Sequence, residues 1–274
     1  MLRIVALEPY YGGSHKAFLD GYRDHSRHCV ELLTMPARKW KWRMRAAALT
    51  MGQMLKERQG QPDAILVSDY LDLAALVGMH PDLLRGVPRA AYFHENQLTY
   101  PVPAEDERDY QFGFTNITTC LAADRVLFNS RYHLESFIEG AELFLDRAPD
   151  YAPGWVPASI RERSEVVPVG VDLEAIDRNR SRSAGRQGPL TILWNHRWEY
   201  DKNPEEFFEV LFALQDEGVK FRVLVAGERF RESPAIFAEA KKRLADRIDH
   251  FGYVTERREY LRLLRRGDIV ISTA

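Results

Sequence analysis

Apolar positions along the chain fall in short solid runs, separated by longer stretches in which apolar residues recur at helical spacing. The runs at residues 2–7, 30–34, 64–67, 90–94, 125–128 and 165–169 predict strands. Segments near 15–24, 40–58, 71–78, 107–123 and 130–139 predict helices between them. Runs such as ILV and RVLF are apolar throughout instead of alternating, as expected when helices cover both faces of a parallel sheet. The repeated strand–helix order predicts a doubly wound α/β domain over 1–176. Residues 178–188, RNRSRSAGRQG, hold four arginines, two serines and two glycines, with Ala184 the one apolar residue. They predict an exposed linker spanning 177–188. A second alternation occupies 189–274, with strands at 190–194, 222–226, 250–251 and 269–272 and helices near 204–217, 233–246 and 256–266. Asn203-Pro204 opens the first of these helices, and Glu205 and Glu206 fall in its first turn, where the helix dipole favours acids. The chain stops directly after an apolar strand, so this second domain reads as truncated, and the uncovered strand edge invites pairing with a second copy.

Composition changes that picture little. The 274 residues are 45% hydrophobic and 28% charged, which excludes a disordered or low-complexity chain. A net charge of −2 leaves no global nucleic-acid footprint, so any such contact must come from a local patch. Two cysteines, Cys29 and Cys120, make no disulfide framework. No run of 18 apolar residues predicts a membrane span, and the first residues do not read as a secretory signal, so a cytoplasmic location is expected.

Candidate chemistry gathers where predicted strands end. Gly12 and Gly13, in EPYYGGSHKAF, follow the first strand; they either let backbone amides approach a phosphate or simply turn the chain. His15 stands at the start of the helix that follows, to touch a ligand or to cap. No G-x-G-x-x-G fingerprint favours a nicotinamide cofactor. The fourth strand runs into HENQLTYP, where His94, Glu95, Asn96 and Gln97 point to a ligand crevice, or else form a solvated loop. His94 is the catalytic or sugar-contacting candidate there. In WNHRWEYDKNP, Asn195, Arg197 and Lys202 precede a helix N-terminus, and two cations at that place suit a diphosphate. VLVAGERF ends a later strand in Gly227, Glu228 and Arg229. MPARKWKWRMR places Arg38, Lys39, Lys41, Arg43 and Arg45 around Trp40 and Trp42 with no acid between them: cations for phosphates and indoles for stacking, or an amphipathic helix start. His25, His28 and Cys29 lack a fourth metal ligand, and no metal is expected.

The strings EPYYGGSHKAF, MPARKWKWRMR, YFHENQLTYP, VLFNSRYH, VVPVGVD and WNHRWEYDKNP, in that order, resemble a GT-B glycosyltransferase of the GT4 type. More closely, they resemble the tRNA-queuosine α-mannosyltransferase family. The resemblance implies two Rossmann-like domains, the first for the acceptor and the second for a nucleotide-sugar donor. It implies transfer of mannose from GDP-mannose, with retention, to queuosine in the anticodon loop of an aspartate tRNA, without a cofactor or metal. By position, Arg197 and Lys202 would hold the donor diphosphate with Asn195 and Gly227 beside them, and Gly12 and Gly13 would bring amides to it. His94 would lie near the transferring sugar, and Glu228 would reach the donor. Arg38, Lys39, Trp40, Lys41, Trp42, Arg43, Glu95, Asn96 and Gln97 would face the tRNA. The family pattern continues past Ala274 with a glutamate pair, so weak activity is expected of these residues alone. Two other readings stay open: a transferase with another nucleotide-sugar and a non-tRNA acceptor, and a non-catalytic tRNA-binding module.

Overall fold

A computed structural model describes residues 1–102, 108–178, 188–229 and 233–274. Most of the expected linker, residues 179–187, lies outside the described residues. The chain forms two compact units, Met1–Gly170 and Val171–Ala274.

Unit 1 is built on a six-stranded parallel sheet. Its strands are β1 (Arg3–Tyr11), β2 (Cys29–Pro36), β3 (Ala64–Ser68), β4 (Arg89–Phe93), β5 (Arg125–Phe128) and β6 (Ser164–Val166), in the order β2-β1-β3-β4-β5-β6. Helices α1 (Gly13–His25), α2 (Trp40–Glu57), α3 (Leu73–Met79), α4 (Tyr110–Ala122), α5 (Arg131–Leu145) and α6 (Val156–Glu162) connect them. Pleating divides β1 between two cores. Val5 and Leu7 join the larger one with Ala47, Met51, Leu76, Ile117 and Phe137, while Ile4 and Ala6 pack with Leu19 of α1 and Tyr92. Strand β6 stops at Val166, ahead of the expected 169, and Pro168 could not donate to the ladder in any case. Helix α5 runs six residues past its expected end and includes Gly140. A Cβ on Gly140 would meet Thr99 Cγ2 at 2.8 Å, and one on Gly113 of α4 would meet Leu98 Cδ2 at 2.6 Å. Two helical glycines thus let α4 and α5 close onto the loop that follows β4.

Unit 2 starts with α7 (Leu173–Arg178) and continues β7 (Leu190–Asn195), α8 (Pro204–Asp216), β8 (Phe221–Ala226), α9 (Ile236–Arg243), β9 (Ile248–Gly252), α10 (Arg257–Leu264) and β10 (Ile269–Ile271). Its four parallel strands run β10-β7-β8-β9. Trp194, Val223 and Val225 bury one face against Phe207, Phe208, Leu211 and Phe237, while Leu193, Leu224 and Ala226 meet Leu263 on the other. Asn203 caps α8 and reaches Glu206, as the Asn-Pro start predicts. No helix among the described residues is long and apolar enough to cross a membrane.

Candidate active site

In unit 1 the first polar residues past the apolar runs of strands β1, β3, β4 and β5 meet at one sheet edge. Glu8, fully buried, accepts the Tyr10 amide at 2.8 Å and the Ser68 hydroxyl at 3.0 Å on Oε1, and faces His15 Nδ1 at 3.0 Å on Oε2. Burial works against a charged His15, but the Glu8 hydrogen bond and the charges of Asp69, Glu8 and Glu95 prevail and push it up to about 9. Asp69, also buried, is driven the other way from an ordinary carboxylate: desolvation raises it, with the His15 cation as the main offset. The His94 ring lies 4.0 Å from the His15 ring, centroid to centroid. Burial, then the His15 charge, hold His94 down at about 3, so it is a neutral hydrogen-bonding group.

Side chains from neighbouring strand ends clamp the His94 backbone. Its amide donates to Asp69 Oδ1 at 2.9 Å, and its carbonyl accepts Asn129 Nδ2 at 2.8 Å. Asn129 Oδ1 faces His133 Nδ1 at 3.0 Å, while buried His133 Nε2 has no hydrogen-bond partner among the described residues. Burial holds His133 at about 4, and a neutral ring can leave that nitrogen bare at far less cost than a cation could. Further along the loop, Gln97 donates its amide to Asn116, and Asn116 donates to the Asp69 carbonyl. The Asn96 side-chain oxygen accepts the amides of Leu98 and Thr99, so buried Asn96 shapes the turn instead of facing outward. Glu95 differs: it is half-buried, and its Oε1 accepts the Tyr70 hydroxyl at 2.8 Å and Gln97 Nε2 at 3.2 Å. Tyr70 stacks on Tyr10 at 5.1 Å.

Glu8, His15 and His94 each offer a ligand atom within 4.8 Å of the others, the spacing of a metal cluster. Both Glu8 oxygens already accept hydrogen bonds and His15 is held as a cation, so the three form an internal ion pair beside a neutral ring. Both glycines of the first loop have local causes: a Cβ on Gly12 would meet Ala37 Cβ at 2.4 Å, and Gly13 sits at φ +52°. Gly12 precedes α1 with no side-chain cap.

The basic segment at the head of α2 splits in two. Trp40 is half-buried, edge-on to Tyr70 and tilted on Phe112, so it anchors the helix to the cluster. Trp42 is 65% exposed. Arg43 turns back to the Pro36 carbonyl and Arg45 pairs with Asp109, whereas Arg38, Lys39 and Lys41 are exposed, Lys41 lying over Trp40.

Unit 2 carries a cleft of about 420 Å³ lined by Asn195, Arg197, Gly227, Glu228, Tyr253 and Tyr260, among others. The β7 and β8 exits zip together: His196 donates to the Ala226 carbonyl and Trp198 to the Glu228 carbonyl. A Cβ on Gly227 would lie 1.8 Å from the His196 carbonyl oxygen, so only glycine fits. Asn195 Nδ2 donates to the Tyr260 hydroxyl at 2.7 Å, and Arg197 pairs with Glu199 at 3.1 Å. Lys202 is not among the cleft's lining residues; its ammonium pairs with Asp201 at 2.7 Å. Sequence reasoning missed Asp69, Tyr70, Asn129 and His133 in unit 1 and Tyr253, Thr255, Arg257 and Tyr260 in unit 2.

Comparison with known proteins fits this geometry. Residues 3–171 match the family described as tRNA-queuosine alpha-mannosyltransferase N-terminal. The chain is 37% identical to the tRNA-queuosine alpha-mannosyltransferase of Drosophila melanogaster, over 99% of this chain and 73% of that one. It is 26% identical to a GDP-mannose-dependent alpha-(1-6)-phosphatidylinositol dimannoside mannosyltransferase of Mycobacterium tuberculosis, over 96% of this chain and 66% of that one. Among solved structures, a UDP-forming trehalose-phosphate synthase from Burkholderia xenovorans superposes with a TM-score of 0.60 at 16% identity, covering 98% of this chain and 77% of that one. Sucrose-phosphate synthase from Thermosynechococcus elongatus gives 0.62 at 14% identity, covering 98% and 74%. The fold is therefore GT-B.

Proposed function

The chain belongs to the tRNA-queuosine α-mannosyltransferase family and is a glycosyltransferase, and on that premise we propose that it transfers mannose from GDP-mannose to queuosine in tRNA, with retention. The relatives' mannosyl specificity and the GDP-mannose dependence in the mycobacterial name support the donor. In the reaction, the bond from the mannose anomeric carbon to the diphosphate breaks and a bond to a queuosine diol oxygen forms on the same face. The proton of that hydroxyl leaves with the GDP. In unit 2, Arg197 and Lys202 would exchange Glu199 and Asp201 for the diphosphate, so that side-chain cations and not a metal meet its charge. Asn195, Gly227 and Glu228 line the donor cleft with Tyr253, whose ring suits a nucleobase face. In unit 1, Gly12 and Gly13 leave uncapped amides at the head of α1. His94 serves as a neutral hydrogen-bond partner for a sugar hydroxyl, since a ring held at about 3 cannot act as a general acid near neutrality. Arg38, Lys39 and Lys41 take tRNA phosphates and Trp42 stacks on an unpaired base. Such an enzyme works in the cytoplasm on an aspartate tRNA.

The observation that carries the reading is the row of Glu8, Asp69, His94 and Asn129, fixed at the strand ends of a unit that matches the family model over residues 3–171. The protein, incubated with GDP-mannose and tRNA carrying queuosine, is expected to add one hexose, removable by an α-mannosidase. Equal transfer to tRNA with guanosine at that position, or transfer from UDP-glucose in preference to GDP-mannose, would overturn it.

A further inference from the structure

The strand-end cluster of unit 1 has a sign that does not suit a polyanionic substrate. Among the described residues, Glu8, Asp69 and Glu95 are its acids and His15 is its one cation; His94 and His133 are neutral. Glu8 pairs with His15, and desolvation favours the protonated form of Asp69. Glu95 has no cation paired to it among the described residues, its hydrogen-bond partners being the Tyr70 hydroxyl and the Gln97 side-chain amide. It is half-buried, and its Oε1 is steered by Tyr70 and Gln97 while Oε2 accepts nothing from the described residues. Phosphates would be repelled here. Trp40 packs on Tyr70 and so ties the cluster to the head of α2, where Arg38, Lys39 and Lys41 supply the opposite sign. Unit 1 therefore carries basic residues beside an acidic cluster edged by aromatic rings.

An acid beside a tRNA surface is reasonable when the nucleoside it meets brings its own cation. Queuosine does so: a secondary amine joins its cyclopentene-diol to the methylene on the deazaguanine, and such an alkyl amine, like the primary amine of lysine, is protonated at neutral pH. We infer that Glu95 is the residue by which this enzyme tells queuosine from guanosine, its free Oε2 accepting the N–H of the queuosine ammonium while the basic residues take the phosphates. The inference rests on the acceptor proposed above. The ammonium stands on the ring carbon next to the diol, so an ion pair at Glu95 also orients the hydroxyls. Tyr70 and Gln97 hold the carboxylate in place from its other oxygen, which leaves Oε2 directed to the ligand at little further cost in side-chain freedom.

The test is equilibrium binding of one tRNA carrying either queuosine or guanosine at the same position, to wild-type protein and to Glu95→Gln. The substitution keeps shape and an acceptor oxygen and removes only the charge. Wild-type protein is expected to prefer the queuosine form by at least about tenfold, in the range of a charge-assisted hydrogen bond. Glu95→Gln should lose that preference while binding the guanosine form at least as tightly as before, which also shows that it is folded. The slope of log Kd against log salt should be the same for both proteins, because Glu95 touches no phosphate. Full preference retained by Glu95→Gln, or no preference in the wild type, overturns the inference. Mannose transfer by the wild-type protein, measured alongside, reports separately on the acceptor reading: preference without transfer sinks that reading and not the role of Glu95.

Discussion

Replacing Glu8 by glutamine removes the anion that keeps His15 charged while leaving an oxygen for the Tyr10 amide and the Ser68 hydroxyl. His15 is 5% exposed, so solvent does little to screen the change. Its value rises from 6.5 in the unfolded chain to about 9 in the fold, which at pH 7 corresponds to stability on the order of 2–3 kcal/mol. Because the folded value is the higher one, this contribution is complete below about pH 6.5 and disappears as pH climbs through 9. A domain the size of unit 1 loses about 2–4 °C in Tm per kcal/mol, so Glu8→Gln should unfold about 5–10 °C lower at pH 7. The assay is thermal unfolding of both proteins from pH 5.5 to 9.5. The gap should be widest at the acid end and close toward the alkaline end. His94 gives a second readout: burial and the His15 charge both depress it, so losing that charge should move its NMR titration upward from about 3. A Tm difference that stays constant with pH would mean that Glu8 acts by packing alone, and the ion-pair argument would fail.

Substitutions elsewhere probe the clamp, the donor cleft and the basic segment. Asn129→Ala frees the His94 carbonyl and leaves His133 without its partner; losing one such bond should lower kcat about tenfold with donor affinity unchanged, and an unaltered kcat would show that the clamp is idle. Gly227→Ala forces a methyl against the His196 carbonyl at 1.8 Å, so nucleotide-sugar binding measured by calorimetry should be lost while tRNA binding to unit 1 persists. Removing Arg38 and Lys41 together should make the salt slope of tRNA binding shallower by about 0.7 for each phosphate that the protein no longer neutralises. An unchanged slope would return the basic segment to a packing role.

Most strands and helices could be read along the chain, because solid apolar runs and helical spacing are local signals. Helices α6 and α7 are about as short as α3 but hold fewer apolar positions at that spacing, and α5 runs past its expected end because Gly140 is kept for its contact with Thr99 and not as a helix stop. The site was half legible. His94 through Gln97 stood out as four polar residues after a strand, yet their environment depends on Asp69, 25 positions away from His94, and on Asn129, 35 away. A single rule would have found them. In a parallel sheet, register aligns strand ends, so the first polar residue past each apolar run enters one common row. Leu7 pairs with Val67, Ser68 with Tyr92 and Phe93 with Phe128, which brings Glu8, Ser68-Asp69, His94 and Asn129 side by side. The same rule applied to unit 2, where Asn195 pairs with Ala226 and Ala226 with Gly252, places Asn195, Gly227 and Tyr253 at one edge, and all three line the cleft. What the register cannot supply is charge state. Whether His94 or His15 carries the proton is decided by which ring meets Glu8, and that follows from His15 riding on the first turn of α1, held there by Gly12 against Ala37. Gly12 thus acts on the chemistry by placing a cation.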